Sequence, residues 1–188
     1  MPELPEVQTT VNALQIISNA KITEIKIFTN KLRYPIPKKI EKSAKNKKIT
    51  NIFRIAKYII INIEGDTSII FHLGMSGRLK FFNNKKYVKE KHDHVVIYLN
   101  RNKVLIFNDQ RKFGFCDLSS TSKLKKKKYL KILGPDPFCK SFNKNYLLEK
   151  FSRSNIEIKK MLLNQNIISG IGNIYANEIL FYSKINPI

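Results

Sequence analysis

The first residues of the chain combine two prolines and two glutamates in the stretch MPELPEV. Pro5 and Glu6 suit the start of a helix, because proline fits the first turn and a carboxylate there meets the positive end of the helix dipole. Pro2 and Glu3 precede that helix. If the initiator methionine is removed, Pro2 becomes a free secondary amine, and an α-amino group with a pKa of about 8 is far less protonated at neutral pH than a lysine. Such an amine can condense with a sugar carbon to give a cationic iminium, while Glu3 moves a proton. Both interpretations stay open for this stretch alone.

The chain carries a large excess of positive charge. It has 188 residues, with 35 Lys and Arg against 14 Asp and Glu, and a net charge of +21 at pH 7. Such a surplus indicates a polyanionic partner, because phosphate neutralisation with counterion release supplies much of nucleic-acid affinity. A lysine bias from an A/T-rich genome is the alternative source of part of this excess. The run SSTSKLKKKK at 119–128 is interpreted as a solvated surface.

Neither a membrane span nor a secretory signal is predicted. No run approaches the roughly 18 apolar residues that span a bilayer, and acids occupy the N-terminus where a signal peptide has lysines before an apolar stretch. We therefore expect a cytoplasmic protein. Cys116 and Cys139 form no C-x-x-C pair and are expected to be reduced thiols. His72 and the HDH sequence at 92–94 lack a clear carboxylate partner, so no metal site is expected.

The order of the predicted elements indicates an α+β fold. Apolar residues between positions 7 and 17 share one helical stripe, so a helix should begin near Pro5. Eight segments of strand character follow, which is typical of an antiparallel sandwich or barrel. They are 22–29, 49–55, 57–63, 67–73, 78–82, 94–99, 103–108 and 113–118. After the Pro/Gly hinge LGPDPF at 133–138 the pattern becomes helical. We expect a β-sandwich domain over 1–130 and a partial helical domain over 131–188.

Seven motifs in a fixed order resemble those of one enzyme family. They are MPELPEV, RIAKY (54–58), FHLGMSGRL (71–79), KHDHV (91–95), NDQRKFG (108–114), LGPDP (133–137) and SGIGNIYANEIL (169–180). Together they closely resemble the formamidopyrimidine-DNA glycosylase family, bacterial enzymes that excise oxidised purines such as 8-oxoguanine. PELPEV resembles this branch rather than the endonuclease VIII branch. The resemblance implies an N-terminal antiparallel β-sandwich with an N-terminal helix, followed by a helical domain with a helix–two-turn–helix motif.

The resemblance implies a catalytic group built on the start of the chain. Pro2 would attack C1′ of the damaged nucleotide and form a Schiff base, while Glu3 protonates the sugar. Lys57 matches a catalytic lysine that holds phosphate and assists elimination, with a solvated lysine at a strand start as the alternative. Glu6 matches a second acidic position beside the site, with its helix-dipole role as the alternative. β,δ-Elimination would then cut the DNA backbone on both sides of the lesion.

The resemblance also implies residues that open duplex DNA, because a stacked base is unreachable until it is flipped out. The family's wedge residues fall on Met75, Arg111 and Phe113, with a core position as the alternative for Met75. Arg111 and Phe113 should share one face if their segment is extended.

Further DNA contacts are implied outside the wedge. They fall on His92, Lys159, Asn173, Arg153 and Ser154. The sequence SGIGNIYANE places Asn173 at a helix N-cap, where exposed N–H groups would bind phosphate.

Relatives in the family continue beyond the last motif with a lesion-capping loop and a four-cysteine zinc ribbon. This chain ends at INPI with no zinc ligands, so no cofactor is expected in it, and it is interpreted as a fragment or a shortened protein. The region implied to hold zinc and to assist the second elimination lies outside this sequence.

The function predicted from the sequence is that of a bifunctional DNA glycosylase and AP lyase for oxidised purines in base excision repair. Its partner would be damaged double-stranded DNA, and it would act as a monomer at the bacterial nucleoid. One alternative is a shortened, catalytically weak binder of damaged duplex DNA. Others are an endonuclease VIII-type glycosylase for oxidised pyrimidines, and a basic RNA-associated protein whose N-terminal acids only cap a helix.

Overall fold

The computed structural model describes residues 2–82, 87–152 and 154–187. The helices are α1 (Leu4–Leu14), α2 (Lys39–Ala44), α3 (Lys128–Lys131), α4 (Lys144–Phe151), α5 (Ile158–Leu163) and α6 (Asn173–Tyr182). The strands are β1 (Ile22–Ile27), β2 (Ile49–Ile55), β3 (Tyr58–Ile63), β4 (Thr67–His72), β5 (Arg78–Phe82), β6 (Asp93–Leu99), β7 (Lys103–Asn108) and β8 (Phe115–Ser119). None of the helices in this described part of the chain has the length and hydrophobicity of a membrane span.

The strands form two four-stranded sheets. One has the order β1-β6-β7-β5 and the other β2-β3-β4-β8, and every described pair is antiparallel. Isoleucine, valine and phenylalanine fill the strands, since β-branched and aromatic side chains pack well on a pleated surface. The main core combines buried side chains of both sheets with those of α1 and α2. The α+β class and the antiparallel sandwich predicted from the sequence are confirmed.

Two smaller cores extend the sandwich. The segment 121–131 covers the outer face of the second sheet, where Leu124 and Leu130 pack against Ile60 and Ile70. In the rear of the chain, α5 and α6 and the turn between them share a separate cluster that includes Leu162, Ile168 and Leu180. The chain thus consists of a β-sandwich and a helical unit with its own core. The candidate active site lies where the two meet. The predicted domain boundary at 130 stays a prediction.

Several predicted boundaries differ from the observed ones by one or two residues. The first helix begins at Leu4, one residue before the predicted Pro5, with Glu3 as its N-cap residue. The first strand ends at Ile27, two residues before the predicted 29. The last strand begins at Phe115 rather than at 113, because the N–H of Gly114 bonds to a side chain of the preceding loop and not to a neighbouring strand.

Candidate active site

The carboxylate of Glu3 is buried against the start of α6. Glu3 is 1% exposed. Its side-chain oxygens accept hydrogen bonds from the backbone N–H groups of Gly172 (2.8 Å), Ile174 (2.8 Å) and Tyr175 (3.2 Å). The N-terminal end of a helix carries about half a positive charge, which stabilises an anion there. The third residue of the chain therefore caps a helix that begins 170 residues further on.

This contact corrects the prediction for the start of α6. The N-cap residue is Gly172, and Asn173 is the first residue of the helix. The N–H groups of Ile174 and Tyr175, which we expected to be open for phosphate, are bonded to Glu3. The side chain of Asn173 is exposed and lines a cavity at the site, so it is available to a ligand.

Two glycines allow the chain start to approach α6 this closely. A Cβ on Gly172 would lie 2.5 Å from the Glu3 carboxylate. Gly170 has a φ of +97°, which L side chains rarely adopt, and a Cβ there would lie 2.6 Å from a methyl group of Leu4. The Leu4 N–H donates to the carbonyl of Gly170 at 3.1 Å. The first residues of the chain therefore pack directly against the SGIG turn, and its glycines leave the space for them.

Glu6 braces the backbone beside Pro2. Its Oε2 accepts the N–H of Glu3 at 2.8 Å, and its Oε1 lies 3.4 Å from the donating hydroxyl of Tyr175. Burial and the neighbouring Glu6 carboxylate raise the pKa of the Tyr175 hydroxyl, which therefore stays a donor. Pro2 itself is half-buried immediately before this brace. These contacts give Glu6 a structural task at the helix start, in line with its alternative interpretation.

Lys57 lies in a two-residue turn between β2 and β3 and points inward. It is 8% exposed, and its Nζ donates to the carbonyl of Ile171 at 2.8 Å. The preceding Ala56 has a left-handed φ of 50°, a conformation that is uncommon for a non-glycine residue. Burial lowers the pKa of Lys57, while the charges of Glu3 and Glu6 act in the opposite direction. The alternative of a solvated lysine is wrong, since this side chain is buried beside two carboxylates.

Arg54 supports the turn that carries Lys57, and sequence reasoning missed it. Its Nη1 donates to the carbonyl of Ala56 at 2.9 Å, and its Nε donates to Gln8 at 2.9 Å. The same guanidinium forms an ion pair of 2.6 Å with Asp136. Arg54 and Asp136 stand in the RIAKY and LGPDP motifs, but nothing in either motif alone indicates that they meet.

Gln165 fixes the carbonyl that Lys57 uses. Its Nε2 donates to the Ile171 carbonyl at 2.7 Å, and its Oε1 accepts the N–H of Gly170 at 2.9 Å. Its own carbonyl accepts the N–H of Gly134 at 2.8 Å, so it also ties the linker to the turn before α6. This residue too was not predicted, because its partners are backbone atoms of an irregular turn.

A cavity of about 400 Å³ opens beside Lys57. Its lining includes Arg33, Tyr58, His72, Tyr129 and Asn173. We call it the Lys57 cavity. Two cationic side chains, three rings and an exposed amide in one cavity provide groups for both phosphates and flat bases.

His72 is held neutral in the wall of this cavity. Burial, together with the positive charges of Arg33 and Lys57, lowers the pKa of its imidazole from 6.5 to about 4. Its Nδ1 accepts the N–H of Gly74 at 3.1 Å, so its Nε2 carries the proton of the neutral ring. The ring is stacked on Phe115 at 5.4 Å. His72 thus contributes an uncharged N–H donor at neutral pH, a role that we did not predict.

A second cavity adjoins the first. It has a volume of about 580 Å³ and is lined by Arg33, His72, Gly74, Met75, Arg111, Lys112 and Phe113. We call it the Met75 cavity. Arg33 and His72 line both cavities, so the two lie side by side along one groove. Nothing in the sequence around Arg33 indicated that it would stand between them.

The three predicted wedge residues lie together at the Met75 cavity with exposed side chains. Met75 is 44% and Phe113 47% exposed, so the core alternative for Met75 is wrong. The Arg111 guanidinium lies 4.6 Å from the centroid of the Phe113 ring. Their segment is not an extended strand, however, because Lys112 has a left-handed φ of 56°. Arg111 and Phe113 are adjacent because the loop turns between them.

The other predicted DNA contacts are not part of this cluster. His92 is half-buried in the turn before β6, and Lys159 is half-buried on α5. The Ser154 hydroxyl contacts the Met161 sulfur at 3.3 Å and accepts the N–H of Ile156 at 3.2 Å, which occupies it within the helical unit. Arg153 lies outside the described residues.

The residues present do not fit a zinc site of the family type. Within 2–82, 87–152 and 154–187 no group of three His, Cys, Asp or Glu side chains could hold a metal ion. The chain has two cysteines, and Cys116 is fully buried in the sandwich, where burial raises the pKa of its thiol.

Two family models match this chain. The formamidopyrimidine-DNA glycosylase N-terminal domain matches residues 1–116, and the formamidopyrimidine-DNA glycosylase H2TH domain matches residues 133–188. The second match confirms the predicted helix–two-turn–helix motif.

Proteins named formamidopyrimidine-DNA glycosylase match the whole length of the chain. The formamidopyrimidine-DNA glycosylase of Zymomonas mobilis is 43% identical over 188 residues, which are 100% of this chain and 68% of that protein. The enzyme of that name from Roseobacter denitrificans is 37% identical and is covered to 69%. A crystal structure of Lactococcus lactis Fpg (MutM) with DNA containing N7-benzyl-Fapy-dG has a TM-score of 0.91 and 34% identity, covering 99% of this chain and 69% of that one. The chain belongs to the formamidopyrimidine-DNA glycosylase family of DNA-repair enzymes.

Proposed function

We propose that this protein is a bifunctional DNA glycosylase and AP lyase that removes oxidised purines from duplex DNA through a Schiff base on Pro2. One observation carries the proposal. The chain start, with Pro2 half-buried and Glu3 buried, is docked beside Lys57 at a groove lined by basic and aromatic side chains. A chain end that served only to cap a helix would not need a buried lysine and two neighbouring carboxylates.

The first chemical step joins the protein to the sugar. After loss of Met1, the Pro2 nitrogen attacks C1′ of the flipped nucleotide, and the bond from C1′ to the base breaks. The base leaves with a proton, and opening of the sugar ring gives an iminium between Pro2 and C1′. The Glu3 carboxylate accepts the proton that the Pro2 nitrogen loses, passes it to the ring oxygen as the ring opens and stabilises the resulting cation. Solvent supplies the proton that leaves with the base.

The second step cuts the DNA. Loss of a proton from C2′ pushes electrons toward the iminium and breaks the bond from C3′ to the phosphate oxygen. Lys57 contributes its ammonium group to the phosphate, exchanging its bond to the Ile171 carbonyl for one to the substrate. A second elimination at C5′ would release the sugar remnant, and water then regenerates the free Pro2 amine.

Recognition of the lesion is assigned to the groove. Met75, Arg111 and Phe113 would fill the space left by the extruded nucleotide, at an unstacking cost of a few kcal/mol per step. The flipped nucleotide would enter the Lys57 cavity, where His72 and Arg33 face its phosphates. The Lactococcus lactis relative bound to DNA with a formamidopyrimidine guanine supports this substrate class. With such a substrate, we also propose that the protein acts at the bacterial nucleoid.

Borohydride trapping tests the Schiff base. Incubation with duplex DNA containing 8-oxoguanine and borohydride should give a covalent adduct, and peptide mass mapping should place it on Pro2. Pro2→Gly should reduce trapping strongly, while Pro5→Ala, a change to the other proline of the same stretch, should trap as the parent does. Equal trapping by Pro2→Gly, or full nicking by protein that retains Met1, would contradict the assignment. Nicking over many turnovers separates an enzyme from a weak binder.

A further inference from the structure

Asp109 is a fully buried carboxylate in the loop that carries Arg111 and Phe113. It is 0% exposed, and no ion pair joins it to a basic side chain among the residues that the structure describes. Burial of an unpaired charge is expensive unless hydrogen bonds satisfy it. A fold that keeps such a group must hold it by several donors, and the identity of those donors indicates what it positions.

The two carboxylate oxygens of Asp109 bond to two different loops. Oδ1 accepts the hydroxyl of Ser76 at 2.5 Å, and Ser76 belongs to the loop of Met75. Oδ2 accepts the N–H of Gly114 at 2.8 Å, at the end of the loop of Arg111 and Phe113. One side chain therefore connects the two loops whose tips form the Met75 cavity.

Ser76 extends the connection to Arg111. Its Oγ donates to Asp109 and accepts the backbone N–H of Arg111 at 3.0 Å. The Asp109 backbone is itself fixed from β6 and the turn before it, because its carbonyl is bonded to the His94 imidazole at 2.8 Å and its N–H donates to the His92 carbonyl at 3.0 Å. The position of Arg111 is thus set from the sandwich through Asp109 and Ser76.

The backbones of the two loops are also in direct contact. A Cβ on Gly74 would lie 2.4 Å from backbone atoms of Phe113 and Gly114. A Cβ on Gly114 would lie 2.5 Å from the His72 carbonyl and 3.1 Å from the Asp109 carboxylate. Such close packing leaves no room for one loop to move without the other.

We propose that Asp109 is a positioning residue that, through Ser76, holds Met75, Arg111 and Phe113 as one preassembled wedge. This proposal rests on the proposed DNA glycosylase function. It assigns Asp109 no contact with DNA and no part in the chemistry at Pro2. Its effect should appear only when a base pair has to be opened, because a preorganised insertion device lowers the cost of that step alone.

The test compares a substrate that needs the wedge with one that does not. Ser76→Ala removes the bonds to Asp109 and to the Arg111 N–H while leaving Asp109 bonded to Gly114. We expect kcat/KM on duplex DNA with an oxidised purine to fall about tenfold, the effect of one hydrogen bond to a charged group. Cleavage of a single-stranded oligonucleotide with an abasic site should stay within about twofold, since no base pair is opened there. Asp109→Asn, which replaces one acceptor oxygen by a donor, should show the same selectivity with a larger loss.

Ser122→Ala is the matched control. Ser122 also donates its hydroxyl to an aspartate of another loop, Asp66, at 2.8 Å, but it lies away from both cavities. It should leave both substrates unaffected. Equal losses on the two substrates with Ser76→Ala, or no loss on either, would overturn the proposal.

A binding measurement keeps the proposal testable without catalysis. 2-Aminopurine placed opposite a tetrahydrofuran site in a duplex reports unstacking by its fluorescence. Saturating parent protein and Ser122→Ala should raise the signal equally, and Ser76→Ala should reach a lower plateau. If the parent protein cleaves neither substrate, the proposed function fails, while this plateau still decides whether Asp109 and Ser76 hold the wedge. An equal plateau for Ser76→Ala would overturn that assignment.

Discussion

Glu3 and Lys57 bond to the two ends of one peptide group. The carbonyl of Ile171 accepts the Lys57 ammonium at 2.8 Å, and the N–H of the same peptide unit, on Gly172, donates to the Glu3 carboxylate at 2.8 Å. A polarised amide thus stands between an acid and a base that make no direct ion pair with each other. The arrangement keeps the two groups near each other and leaves the Lys57 ammonium free to exchange its carbonyl partner for a phosphate.

The close approach of Glu3 to Gly172 leads to a prediction for Gly172→Ala. A methyl group 2.5 Å from the carboxylate must displace Glu3 from the start of α6. We expect the free energy of unfolding to fall by about 1–3 kcal/mol, as for other overpacked sites. Borohydride trapping should fall by at least tenfold at a temperature where the variant is folded.

Gly65→Ala is the control for a loss of stability that does not involve Glu3. Gly65 has a φ of +79° in the turn between β3 and β4, so alanine is strained there without touching the site. It should lose stability to a similar degree while trapping normally at the same temperature. Normal trapping by folded Gly172→Ala would show that the bond from Glu3 to α6 is not needed for the chemistry.

His72 should titrate far below the usual range of an imidazole. Its pKa falls from 6.5 to about 4 through burial and the charges of Arg33 and Lys57. Between pH 6.5 and 4 the unfolded chain therefore binds a proton at this residue that the folded chain does not bind. The free energy of unfolding should fall as the pH drops through this window. In His72→Gln, which keeps an acceptor for the Gly74 N–H, that part of the pH dependence should disappear.

Two measurements check the behaviour of His72. The imidazole signals in an NMR titration should move with a midpoint near 4, and urea denaturation at several pH values should give the difference between parent and variant. A midpoint above 7 would mean that the ring is mostly charged at neutral pH and acts as a cation instead of a neutral donor.

Arg54 should matter for both stability and trapping. Arg54→Met removes the ion pair with Asp136 and the bond to the Ala56 carbonyl while preserving much of the apolar volume. We expect the free energy of unfolding to fall by about 2–3 kcal/mol, as for lost hydrogen bonds to charged groups that are largely buried. Trapping should fall as well, because the turn that carries Lys57 loses its support.

Lys127→Met provides a comparison at another ion pair. Lys127 bonds to Asp117 at 2.7 Å with both side chains more solvated than Arg54 is. Pairs of this kind contribute about 0–1 kcal/mol, and neither Lys127 nor Asp117 lines the Lys57 cavity. A loss of trapping with Lys127→Met as large as that with Arg54→Met would remove the case for a special role of the Arg54 brace.

Arg33 should contribute to DNA affinity through charge. Because it stands in the wall shared by the Lys57 and Met75 cavities, we expect a phosphate to lie beside it. Arg33→Gln should weaken DNA binding and reduce the slope of log affinity against log salt concentration by about 0.9, the value for one phosphate contact. Fluorescence anisotropy at four or more salt concentrations gives the slope.

Arg101→Gln is the matched charge control for Arg33. Arg101 lies in the turn between β6 and β7, whereas the groove borders the other ends of these two strands. Arg101→Gln changes the net charge by the same amount as Arg33→Gln. Because Arg101 lies away from the groove, its loss should leave the slope of log affinity against log salt concentration unchanged. If both variants reduce the slope by the same amount, the affinity reflects overall charge and not a phosphate bound in the groove.

The strands were predictable because their signal is local. TSIIFH and DHVVIYL are apolar runs bounded by turn residues, and both are strands with almost every residue buried. The start of α1 was also close to the prediction, since proline and glutamate act on the helix that they begin. In each case the residues that decide the conformation are the residues that adopt it.

The contacts that build the site were not predictable in the same way. Glu3 meets α6 across 169 residues of sequence, and no periodicity reports such a pairing. Asp109 reads as an ordinary turn residue, and only its burial shows that it joins two loops. The geometry at Lys112 also escaped prediction, because a left-handed φ there depends on the loop as a whole.

The contact between Glu3 and the start of α6 has a consequence for biosynthesis. A ribosome adds about 5–20 residues per second, so the nascent chain spends on the order of ten seconds with its first residues made and Gly172 still untranslated. During that interval the start of α6 does not yet exist, so Glu3 cannot dock on it. The amino terminus is then accessible to an aminopeptidase that removes the initiator methionine. Removal of Met1, which the proposed Pro2 nucleophile requires, can therefore precede the docking of Glu3 on α6.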